Sequence, residues 1–130
     1  MAGQRNCDAA VTAGRMSKAT EFFAAADHLG PEMPNAAGGD LYVDAGIAAS
    51  DVICCVRLGV HSNTGNHSEA VALLKRADRG GSERYLNILL NLKNKAAYTH
   101  QNLAAAELTK MSRAAEHLLE AAKKAVAARG

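Results

Sequence analysis

Lys93 and His100 are the two side chains whose types and spacing could act on one bond together. Seven steps of about 100° return almost to the starting direction, so on one helix the two share a face. There a histidine can take up a proton while the ammonium stabilises developing negative charge. The same residues also suit a plain polar helix end, with His100 and Lys95 near the negative end of the dipole. Asp51 is the other position of interest, because it interrupts an otherwise apolar run, where an ionised carboxylate needs a partner.

Other chemistries find little support. His61 and His67 flank a polar loop, yet no cysteine or carboxylate stands at ligand spacing beside them, so no metal site is expected. The chain carries no phosphate-cradling glycine loop, no G-x-S-x-G elbow and no H-E-x-x-H helix, which excludes P-loop hydrolysis and two common hydrolase classes. No cofactor is implied. Cys7, Cys54 and Cys55 form an odd set without C-x-x-C spacing; the adjacent pair points to different helix sides, and all three read as reduced core thiols.

The elements that must position these residues are helical. The chain has 130 residues, two prolines and 4% aromatics, and its abundant alanine loses no side-chain entropy on entering a helix. Apolar positions at three-and-four spacing predict a first helix over 8–29, along the line Val11, Arg15, Ala19, Phe22, Phe23 and Ala26. Gly30 and Pro31 stop it, and the stretch to Gly39 reads as a flexible connection, with Asp40 as the cap of a central helix over 41–58. Gly59 and a polar turn over 60–66 lead to a short helix over 67–77. A fourth follows from Ser82, whose hydroxyl can accept a helix-start N–H, to about residue 99, and the longest spans 103–128. One all-α domain over 1–130, an up-down bundle of about five helices, is expected, with Ile47, Cys54, Leu89, Met111 and Leu118 in its core.

A net charge of +2 selects no partner. The polar first residues lack a signal-peptide pattern and no apolar run approaches ~18 residues, so a cytoplasmic protein away from membranes is expected. An alanine-filled core buries little apolar area per residue, which favours a homodimer.

Two segments resemble the HEPN superfamily of small helical bundles, found as RNases in toxin–antitoxin and defence systems and also as catalytically dead binding domains. They are AGIAASDVICCVRLGVHSNTGNHSEAVALL over 45–74 and LLNLKNKAAYTH over 89–100, the second followed by a long Ala/Leu/Glu helix, together about half the chain. The family's catalytic motif is an arginine, usually a polar residue, and then a histidine, with four to six residues lying between arginine and histidine. Lys93, Asn94 and His100 match its spacing with lysine in place of arginine, and lysine lacks the guanidinium fork that orients a phosphate. The resemblance implies a two-fold dimer with a composite basic cleft, metal-independent RNA cleavage with His100 as base, and Tyr98 and Asp51 in support, Asp51 pairing with Lys93 or Arg57. It also implies an antitoxin or nucleotidyltransferase-like partner. The alternative is a non-catalytic helical domain that binds a protein or nucleotide.

Overall fold

The computed structural model describes residues 3–30, 35–63, 65–98 and 102–129. It is a five-helix bundle with one small antiparallel ribbon, in the order β1 (Gln4–Asn6), α1 (Ala9–Leu29), α2 (Asn35–Leu58), β2 (Val60–Ser62), α3 (His67–Ala77), α4 (Glu83–Tyr98) and α5 (Ala105–Arg129). The all-α expectation holds, and the ribbon adds two three-residue strands that are too short to show alternation in sequence.

Local chemistry sets the helix ends. Asp8 caps α1 by accepting the Val11 N–H at 2.8 Å, and Gly30 ends it with φ 65°. Asn66 caps α3 through the Glu69 N–H at 3.1 Å. The Glu107 carboxylate turns back onto the Ala104 N–H at 2.8 Å, half of a capping box at the start of α5. Ser82 does not act as expected: its hydroxyl donates to the Asp78 carboxylate, which also accepts the Gly80 N–H.

α2 is the hub, packed most extensively against α1 and α5 and also against α3, α4 and β2. It begins at Asn35, so Gly38, Gly39 and Asp40 lie inside the helix and not in a flexible connection. The glycines serve close approach: a Cβ at Gly39 would come within 2.7 Å of Leu103 Cδ1, and one at Gly46 would overlap Leu89 and stand 3.3 Å from Leu118 Cδ1. Glycine here shortens the distance between helices, which a composition reading mistakes for chain flexibility. Leu89, Met111 and Leu118 are fully buried and Cys54 nearly so, while Ile47 is half-buried against the core. Among the described residues, no helix is long and apolar enough to cross a membrane.

Cys7 and Cys55 form a disulfide, which corrects the reading of three reduced thiols; Cys54 alone is free. The adjacent pair does point to different sides, and that divergence sends Cys55 towards Cys7, 48 residues away in sequence, with Cα atoms 5.4 Å apart. The bridge pins the end of β1 onto α2. Around it, the Cys7 N–H donates to the Gly59 carbonyl at 2.9 Å and the Asn63 N–H to the Gly3 carbonyl at 3.0 Å.

Candidate functional site

A cavity of about 190 Å³ opens where α2 faces β2, α3 and α4. Its apolar wall comes from Ile47 and Cys54 on α2, Ala70 on α3, and Leu86 and Leu90 on α4; Ser50, Asp51, Ser62, His67 and Lys93 supply the polar groups. The spacing of Ile47, Asp51 and Cys54 brings them to one side of α2, and that of Leu86, Leu90 and Lys93 does the same on α4.

Asp51 is 7% exposed. Both Nε and Nη2 of Arg15 reach its Oδ2, at 2.9 and 2.8 Å, and His61 Nδ1 lies 3.8 Å from its Oδ1. That imidazole nitrogen is also 2.8 Å from the Ser62 carbonyl, an acceptor only, so Nδ1 carries the proton. Burial raises the Asp51 pKa above the ordinary carboxylate value, and the positive charge of Arg15 and the nearby His61 offsets only part of that rise. The expected pairing with Lys93 or Arg57 is therefore replaced by Arg15. Six residues along α2, Arg57 points about 120° away from Asp51 and is exposed.

The remaining polar groups differ in how far they are satisfied. Ser50 Oγ donates back to the Gly46 carbonyl at 2.8 Å, whereas Ser62 Oγ is buried with no hydrogen-bond partner. The Cys54 thiol is pushed up to about 12, first by burial and then by the negative charge of Asp51, so it stays protonated and is a poor nucleophile. The half-buried Lys93 makes no hydrogen bond or ion pair among the described residues; its charge acts on Asp44, whose carboxyl burial nonetheless raises.

The cavity thus joins Asp51 and Lys93 from the sequence reading. Asn94 is exposed and does not line it. α4 closes at Tyr98, whose side chain, together with His100, lies outside the described residues. On either side of that stretch, Lys95 Nζ grips both oxygens of Glu107 at 2.8 and 2.9 Å and ties the end of α4 to the start of α5. Glu107 titrates below the ordinary range because of the Ala104 N–H first and Lys95 second.

Sequence reasoning missed Arg15, His61 and Ser62 as parts of this site. A signal for Arg15 exists: it is a cation on the apolar line of the first helix, matching a lone carboxylate on the apolar second. His61 and Ser62 left none, since three strand residues carry no readable period. No protein-family model, curated protein or solved structure matches this chain.

Proposed function

We propose that the protein is a non-catalytic helical binding domain whose cavity beside Asp51 takes part of a nucleotide. The supporting observation is an apolar pocket holding a buried, unpartnered Ser62 hydroxyl, with a Lys93 ammonium on its lining that makes no hydrogen bond or ion pair among the described residues. At about 190 Å³ it falls below the roughly 300–1,000 Å³ of sites for drug-sized ligands, so it admits a base and leaves the phosphate at Lys93. Calorimetric titration with AMP, GMP, CMP and UMP tests this. At least one should bind, and Lys93→Ala should weaken it by about 10- to 150-fold, the worth of a charged hydrogen bond. Ala70→Phe, which fills the cavity, should remove binding. If all four nucleotides leave the calorimeter silent at millimolar concentration, the proposal fails.

A HEPN-like endoribonuclease is the second reading, favoured by the Lys93 ammonium, which forms no ion pair among the described residues, on a cavity lining near the end of α4. It carries with it a homodimer, RNA as substrate, and an antitoxin or nucleotidyltransferase-like partner. His100→Ala should then slow RNA cleavage on the order of 10² to 10⁴, the usual worth of a positioned base, with an unchanged helical circular dichroism spectrum. Equal cleavage by variant and parent would remove this reading, and a concentration-independent monomer in light scattering would remove the shared cleft. A cytoplasmic location belongs to both readings. It is at odds with Cys7–Cys55, since disulfides persist mainly in oxidising compartments, and alkylation of the thiols in intact cells distinguishes the two.

A further inference from the structure

A second groove, of about 510 Å³, lies between α4 and α5 on another face of α4 from the cavity. On one side stands Tyr85, and on the other Lys110, Arg113 and His117, brought to one face of α5 by their three-and-four spacing. The Tyr85 and His117 rings are stacked, with centroids 4.3 Å apart and planes 5° from parallel, and the Arg84 guanidinium carbon is 5.5 Å from the Tyr85 centroid.

The groove is lined by cations, and the charge of Lys110 reaches Glu107 only through space, without a direct ion pair. None of its lining residues is a carboxylate, and neither Lys110 nor Arg113 forms an ion pair among the described residues. The acid nearest to Lys110 along the helix is Glu107, already held by Lys95 and the Ala104 N–H. Asp27, in the neighbouring pocket that Arg113 also lines, accepts a hydrogen bond from the Tyr42 hydroxyl at 2.7 Å.

We infer that this groove binds single-stranded nucleic acid, with a base continuing the Tyr85–His117 stack on the exposed side of His117 and backbone phosphates at Lys110 and Arg113. Cations alone would serve any anion. The flat pair of rings decides the class, because a base has a π-face to lay on it and an acidic peptide does not. Backbone phosphates and the π-face of a base are common to RNA and DNA, so both should bind.

Fluorescence anisotropy with labelled oligouridine and oligothymidine tests the assignment on the full chain. Binding should weaken as salt rises from about 50 to 200 mM, and Lys110→Glu with Arg113→Glu should make the salt slope shallower by about 1.4, two phosphate contacts' worth. His117→Ala should weaken binding about 5- to 150-fold, and His117→Phe should restore it, since stacking needs only the ring. Ala70→Phe should leave it unchanged, which separates this site from the nucleotide cavity. The inference is overturned if neither oligonucleotide binds at about 50 mM salt, if His117→Ala binds as the parent does, or if Ala70→Phe abolishes binding. A polyglutamate peptide that binds as tightly, and equally well to His117→Ala, would reassign the groove to acidic peptides.

Discussion

Cys7→Ser is expected to lower the free energy of unfolding by about 4 kcal/mol, the chain-entropy worth of a bridge closing a loop of this size, here residues 48 apart. Without the bridge the unfolded chain regains freedom, while in the native state β1 stays held by its backbone hydrogen bonds to β2 and by the Cys7 N–H to Gly59. Urea unfolding of the parent in dithiothreitol should show the same loss, and dithiothreitol should change nothing further in the variant. Cys54→Ala keeps the bridge and should retain the response to dithiothreitol. If Cys54→Ala, and not Cys7→Ser, abolishes that response, the pairing is wrong; if neither variant nor reductant moves the urea midpoint, the bridge does not stabilise the fold. Loss of β1 should also be read locally. The Asn63 amide, which donates to Gly3, should exchange faster in Cys7→Ser, while amides in the middle of α5 exchange at rates set by global unfolding. Because β2 carries His61 and Ser62, the same variant should loosen one wall of the cavity beside Asp51.

The helices were legible from side-chain periodicity and the glycines that end them, whereas the caps read at Asp40 and Ser82 are not the ones the structure uses. The third runs over 67–77 as its spacing requires, and the first and the last two differ from expectation by a residue or two at their ends. The start of α2 was not legible, because Gly38 and Gly39 have the composition of a loop. Their role comes from Leu103, Leu108 and Met111, some seventy residues away in sequence, and no local pattern carries that information. The disulfide was hidden for a similar reason: spacing arguments weighed the neighbours Cys54 and Cys55, whereas pairing depends on where the chain folds Cys7. At the site, Asp51 was identified by its type in an apolar helix. Its partner required knowing that α1 packs against α2, which the inward-facing Arg15 hinted at but could not prove alone.

Arg15→Ala is expected to cost about 3 kcal/mol at neutral pH, near the lower end for breaking a buried pair because the Arg15 side chain keeps 25% of its surface in water. What remains behind is a buried Asp51 with no strong partner, since His61 stands 3.8 Å away and its Nδ1 proton is engaged by the Ser62 carbonyl. The pH dependence separates this account from simple loss of packing. Burial already raises Asp51 above its ordinary 3.8 in the parent, so the folded state holds that proton more tightly than the unfolded chain does. The associated stability is fully present below the unfolded value and is lost as pH rises through the folded one. Removing Arg15 raises the folded value further, and that of Asp44 with it, because the same guanidinium also lowers Asp44. The variant's deficit should therefore be smallest in acid, where Asp51 is protonated, and widen towards neutral pH. Arg15→Ala combined with Asp51→Asn should be more stable at pH 7 than Arg15→Ala alone, because a carboxamide of the same shape carries no charge to bury. The coupling between the two substitutions in a double-mutant cycle measures the pair directly. A deficit below about 1 kcal/mol with a pH profile parallel to the parent's would mean that water, and not Arg15, compensates Asp51. The cavity would then be wetter and less suited to a base than its apolar walls require.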